Sequence, residues 1–175
     1  HSLNTMREAL KLAKIHSADP VKSAITGILH DCAKYNGSGD LYRIMEENGK
    51  AENISENECK IPDKILHAYH GSVFAHEIYK ITDMEILDSI YYHTTSRENP
   101  SLIEKIVFVA DKIEPARNFP RIDKIRQIAY KNLDEGYFEC LKDIIKVLEK
   151  NKLFIHCDTL KAYEYIKSVK SERRF

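Results

Sequence analysis

The sequence predicts an all-α protein, an expectation carried by three observations. Apolar residues recur at helical spacing along nearly the whole chain. No stretch alternates in the manner of a strand. Only six glycines and five prolines punctuate 175 residues. Over residues 2–16 the set Leu3, Met6, Ala9, Leu10 and Ala13 falls on one helical face. Asp19-Pro20 reads as an N-cap followed by proline at the first helical position, where its missing N–H is not needed. The helix it opens carries Val21, Ala24, Ile25, Ile28, Leu29 and Ala33 and is expected to stop near Lys34, because residues 36–40 form a turn cluster. Residues 36–60 are the most polar stretch, with a short helix expected at 41–47. Ile61-Pro62-Asp63 starts a helix through His67 to Tyr79, and Thr82-Asp83 caps one from Met84 to about His93. Pro100 begins the more apolar Leu102–Ile113, which Pro115 stops. Residues 122–150 keep the helical period with Gly136 as a candidate break, and 158–169 form a final amphipathic helix. No repeat or linker divides the chain, so 1–175 reads as one domain, with 166–175 a fraying tail.

Composition narrows the function. A hydrophobic share of 43% excludes a disordered chain. The balance of 27 Lys+Arg against 27 Asp+Glu argues against general nucleic-acid binding through counterion release. No apolar run approaches the roughly 20 residues of a membrane helix. No secretory leader opens the sequence, and four well-separated cysteines without a CxxC pair suit a reducing compartment. The expected location is therefore cytoplasmic.

Eight histidines are many for a small neutral protein. His30-Asp31 lies in an otherwise apolar helix, and both groups are costly to bury without partners. A lone dipeptide of this kind is readily explained as a satisfied core histidine beside a solvent-facing aspartate. Further positions change that balance. His1 opens the preceding helix, His67 follows Ile65-Leu66, and His93 ends a helix. Asp111 sits inside IVFVADKIEP, the most apolar helix, where a carboxylate needs a cation or several donors. Imidazole nitrogen with carboxylate oxygen suits Fe, Mn, Co, Ni or Zn better than Ca or Mg. His1, His30, Asp31 and Asp111, drawn from three helices, can surround one such ion. If Asp31 bridges, His67 and His93 can complete a second, the arrangement of two-metal phosphoester hydrolysis.

The order His…His-Asp…His…His…Asp resembles the HD superfamily of metal-dependent phosphohydrolases. More narrowly, His1-Ser2-Leu3, ILHDCAK, ILHAYHGSVFA, YYHTTS, FVADKIEPARNF and IHCDTLKAY together resemble the YqeK family of bacterial symmetrical bis(5′-nucleosyl)-tetraphosphatases. That resemblance implies an HD-domain helical bundle, cleavage of diadenosine tetraphosphate into two ADP, an iron-type divalent centre of one or two ions, and a homodimer. It also implies chain ahead of His1, including an arginine three residues earlier. The family pattern has proline where this chain has Cys157, asparagine where it has Glu164, and HTTG where it has HTTS.

His67 and His93 either bind the second ion or contact phosphate beside a single ion, and His93 is a candidate proton donor to the leaving ADP oxygen. Lys34, at i+3 from Asp31, and Arg117, with its planar fork, are candidate phosphate ligands; the bland alternatives are a solvated lysine and a salt bridge to Glu114. Thr94 bonds phosphate or caps a helix end. The resemblance places His156 and Thr159 in one wall of a nucleoside pocket. His70 and His76 read as structural or surface residues, and His16 as exposed. The competing enzyme readings are an HD-type nucleotidase and an alarmone or cyclic-nucleotide phosphodiesterase; a GYP motif after the HD pair is lacking, which lowers the cyclic-dinucleotide case. A non-catalytic nucleotide-binding module would not require the whole ligand set.

Overall fold

The computed structural model describes residues 1–34 and 63–172. The turn expected at 36–40 and the helix expected at 41–47 lie outside the described residues. Within them are eight helices and no strand: α1 Ser2–Ile15, α2 Pro20–Leu29, α3 Asp63–Tyr79, α4 Met84–Tyr91, α5 Leu102–Ile113, α6 Ile122–Lys131, α7 Leu133–Lys150 and α8 Cys157–Glu172. Local chemistry sets most of their starts. The Asp19 carboxylate accepts from the amides of Val21 (2.8 Å) and Lys22 (3.0 Å), with Pro20 at the first turn. Asp83 accepts from the Glu85 amide at 2.9 Å. Ser101 and Glu104 form a reciprocal capping box at the head of α5.

Helix α5 is the axis of the fold and touches α1, α2, α4, α6 and α7. Ile106, Val107, Val109, Ala110 and Ile113 are fully buried there, with Leu12 of α1, Ile125 of α6 and Leu141 of α7 in the same cluster. Helix α1 packs closely on α2 because position 27 is glycine: a Cβ there would lie 2.8 Å from the Met6 Cα. That close approach brings the end of α2 beside the start of α1, and so His30 beside His1.

Several expectations need correction. Leu3 is 58% exposed; the buried face of α1 is Thr5, Glu8, Ala9, Leu12 and Ala13. Glu8 is tolerated there because Tyr130 donates to it at 2.7 Å. Helix α2 ends at Leu29, before the His-Asp pair, and turns of the i→i−3 kind follow (Cys32 N–H to Leu29 O, 2.9 Å; Lys34 N–H to Asp31 O, 3.0 Å). The α6/α7 break falls at Asn132, whose side chain caps α7. Gly136 instead lies inside α7, where a Cβ would meet the Ala129 Cα at 2.5 Å. Helix α8 continues to Glu172, and Lys170 of its last turns pairs with Glu135 at 2.6 Å. His16 is only part-exposed and bonds the Ala129 carbonyl at 2.7 Å. Cys140 is a free thiol and Cys32 donates its S–H to Gly71 O at 3.4 Å, but Cys157 is disulfide-bonded, which departs from the reading of four separate thiols. Among the described residues no helix is long and apolar enough to cross a membrane.

Candidate metal centre

Two of the site histidines are held in the same way. His30 and His93 stand just past the ends of α2 and α4, where backbone carbonyls lack intrahelical partners. His30 donates its Nδ1–H to Gly27 O at 2.8 Å, and His93 donates its Nδ1–H to Ile90 O at 2.7 Å. A carbonyl can only accept, so each ring keeps its proton on Nδ1 and turns the Nε2 lone pair inward. His1, at the N-cap of α1, is oriented by Glu114: its Nδ1 lies 3.2 Å from a carboxylate that is almost completely buried.

The inward-facing atoms converge. His1 Nε2 is 3.2 Å from His30 Nε2, 3.0 Å from Asp111 Oδ1 and 3.7 Å from Asp31 Oδ2. His30 Nε2 is 3.6 Å from Asp31 Oδ2 and 3.8 Å from Asp111 Oδ1. Ligands about 2.0–2.2 Å from a shared ion lie at most about 4.4 Å apart, and each of these pairs is closer than that. A second group lies across Asp31. His67 Nε2 and His93 Nε2 are 3.3 Å apart and stand 3.2 Å and 3.5 Å from Asp31 Oδ1. Asp31 therefore turns Oδ2 to one trio and Oδ1 to a pair of imidazoles. His30 and Asp31 are adjacent in a tight turn, which is why one dipeptide serves both groups.

Electrostatics agree with this geometry. Burial, and then the neighbouring His93, push His30 down to about 4, so its lone pair stays available. Burial raises Asp31, but the surrounding His67, His93, His30 and Lys34 hold it well below the usual carboxylate range. Burial likewise opposes ionisation of Asp111, and Lys112, His1 and His30 overcome it. The hydrogen bond to Asp111 raises His1. Lone pairs of the fixed His30 and His93 rings meet two ionised, buried carboxylates here, and a bound cation would displace the proton that Asp111 favours on His1. Such a donor set fits a divalent cation of the transition series.

The rim is cationic. Lys34 Nζ is 2.7 Å from Asp31 Oδ2, and Arg117 Nη2 is 2.7 Å from Asp111 Oδ1, with side chains 37% and 40% exposed. Arg117 also donates Nε–H to the Asp111 carbonyl at 2.9 Å. Beside His67 and His93 lies a cavity of about 360 Å³ lined by Ile65, Thr94, Phe154, His156 and Thr159 among others. It brings together three of the remaining candidates. The buried Thr94 Oγ1 has no hydrogen-bond partner among the described residues. Thr159 instead donates its hydroxyl hydrogen to Thr95 O at 2.9 Å, and His156 Nδ1 accepts the Asp158 N–H at 3.3 Å. The residues that sequence reasoning missed are Glu114, which was read only as a partner for Arg117, and Lys112, 3.4 Å from Asp111 Oδ2. Glu114 was within reach: at i+3 it lies one turn beyond Asp111 on nearly the same face.

An all-helical fold that brings a histidine and a His-Asp pair within ligand reach of one another, with a distant aspartate against both histidines, has the layout of an HD-type metal centre. A family model described as HD domain matches residues 1–116. The chain is 35% identical to a symmetrical bis(5′-nucleosyl)-tetraphosphatase of Halalkalibacterium halodurans, over 95% of this chain and 87% of that protein. It is 30% identical to the protein of the same name from Bacillus subtilis, over 96% and 88%. A crystal structure described as a predicted HD superfamily hydrolase involved in NAD metabolism, from Clostridium acetobutylicum, matches with a TM-score of 0.82 at 32% identity, covering 96% of this chain and 87% of that one. The chain belongs to the HD-domain family, in the branch that includes these symmetrical tetraphosphatases. Membership implies dependence on a divalent metal, in agreement with the donor set.

Proposed function

We propose that this protein is a metal-dependent symmetrical bis(5′-nucleosyl)-tetraphosphatase that converts diadenosine tetraphosphate and water into two ADP. The observation that carries this reading is Asp31, whose two oxygens face separate clusters 3.2–3.7 Å away. Relatives bearing that name at 30–35% identity across nearly the whole chain support the substrate. Residues 1–175 act as one HD domain, cytoplasmic and homodimeric, and iron is the preferred metal, with Mn, Co, Ni or Zn as substitutes.

His1, His30, Asp31 and Asp111 would hold the ion; His67 and His93 would either complete a second ion with the other oxygen of Asp31 or contact phosphate beside a single ion. A divalent ion bound there supplies Lewis acidity and lowers the pKa of a coordinated water. Lys34 and Arg117 bind the phosphates on either side of the scissile bond and hold them in line. The bond broken joins the second phosphorus to its bridging oxygen, and that oxygen leaves on ADP. With a single ion bound, His93 Nε2 carries no metal and is placed to protonate that oxygen, while its Nδ1–H stays on Ile90 O. Thr94, with an unpaired hydroxyl, lies next in sequence and donates to the same phosphate run. The cavity lined by Phe154, His156 and Thr159 receives one nucleoside.

The test is metal analysis of the purified protein together with chromatography of its products from diadenosine tetraphosphate. The expected result is at least one transition-metal ion per chain and ADP as sole product. AMP plus ATP, or faster turnover of dATP or ppGpp, would overturn the substrate assignment. Tight nucleotide binding without turnover under several added metals would overturn catalysis itself.

A further inference from the structure

Beside the first cluster lies a second cavity, of about 340 Å³, nearly equal to the 360 Å³ cavity beside His67 and His93. The two share Ile144 and Leu148 of α7; one is lined by Lys112 and Arg117, which contact Asp111, the other by Thr94, next in sequence to His93. Phe119, Ile125, Ile144, Val147 and Leu148 make the second cavity mainly apolar. Its lining includes Lys112 and Arg117, both in contact with Asp111. Its lining also includes Asp143, a half-buried carboxylate with no hydrogen bond or ion pair among the described residues. Cys140 completes the wall as a buried thiol that burial pushes up to about 12, which makes it inert filler.

An occupant must match three features: a flat apolar body, an N–H or O–H donor for a free carboxylate, and a negative chain leading toward the metal ligands. A nucleoside diphosphate half has all three. Both cavities lie at the lower end of the roughly 300–1,000 Å³ range of ligand sites, enough for one nucleoside each. Resting on the proposed tetraphosphatase activity, we propose that the cavity lined by Phe119, Asp143 and Val147 is the second nucleoside subsite. The two halves of the substrate then occupy two cavities on opposite sides of the Asp31 carboxylate. Asp143 accepts a hydrogen bond from the base or the ribose, and Lys112 and Arg117 escort the phosphates out of this cavity. Central cleavage follows from the layout, because receptacles flank the centre on both sides.

The experiment compares diadenosine tetraphosphate with adenosine 5′-tetraphosphate, which has a single nucleoside, on the metal-loaded protein. Val147→Trp fills the cavity from a half-exposed position, and Asp143→Ala removes the acceptor. Both are expected to raise KM for the dinucleotide about tenfold with kcat nearly unchanged. Turnover of adenosine tetraphosphate should hold, since its one nucleoside keeps the cavity beside His93. Equal losses on both substrates, or no loss on either with both variants folded and metal-loaded, would overturn the second subsite and leave the activity standing. Wild-type protein that cuts neither substrate would overturn the activity reading, and the subsite with it.

Discussion

The two clusters that share Asp31 are unequal. On the His1 side two carboxylates and two imidazoles converge, and Gly27 O and Glu114 fix the two rings. On the His67 side, among the described residues, two imidazoles face one carboxylate oxygen, and of the two His93 has its ring fixed by a carbonyl. Two negative charges offset a dication far better than one does. Among the described residues, therefore, the first cluster offers a dication the more negative and more rigid surroundings.

The largest effect is expected where the halves meet. Asp31→Ala removes a ligand from both, and should abolish metal content and hydrolysis together while the helices persist by circular dichroism. A variant retaining full metal and rate would show that the two clusters are not one centre. Next comes a substitution confined to the weaker half. His67→Ala should leave about one ion per chain in metal analysis, while kcat/KM falls about 10²–10³-fold, as for loss of one group that stabilises transition-state charge. Loss of all metal from His67→Ala would erase the contrast between the halves.

How much of this was legible in the sequence depends on which physical effect decided each feature. Caps were legible because they are local: Asp19 and Asp83 each act within three residues, whereas the Ser101 cap was missed because Pro100 drew the start of that helix. Asp111 was legible because a carboxylate among Val109, Ala110 and Ile113 needs an explanation wherever the helix packs. Resemblance assembled the ligand set as a whole; spacing alone could not have joined His1 to Asp111. Contacts between helices were invisible. Gly136 looked like a break because glycine disfavours helix, whereas its role is to let α7 approach Ala129. Leu3 looked buried because periodicity cannot say which face meets a neighbour. Glu114 was overlooked because its partner, His1, is 113 residues away.

The first half can be weakened without touching a ligand. Glu114→Gln keeps the shape but removes the charge that orients His1. The expected cost is about 10–100-fold in metal affinity or activity, the usual scale for groups that hold a metal-binding histidine. Metal titration of the chelator-stripped protein would read it directly. The loss should be larger for the first ion than for the second, because Glu114 touches only His1 of the ligands. Equal weakening of both ions would mean that the clusters are coupled through more than Asp31.

The smallest expected effect is at the rim. Lys34 Nζ is 2.7 Å from Asp31 Oδ2 and its side chain is 37% exposed. Its pairing with Asp31 therefore contributes little to stability, on the order of 1 kcal/mol or less. Its value is greater if it meets a phosphate oxygen, where charge-assisted bonds discriminate between bound and free substrate. Lys34→Gln should raise KM for diadenosine tetraphosphate about three- to tenfold, equivalent to about 1 kcal/mol. Metal content and kcat should change little. The split matters because the other role for Lys34 is to neutralise Asp31. In that case the variant would change metal occupancy and kcat while KM stayed put, and the cationic rim would belong to the metal centre rather than to the substrate.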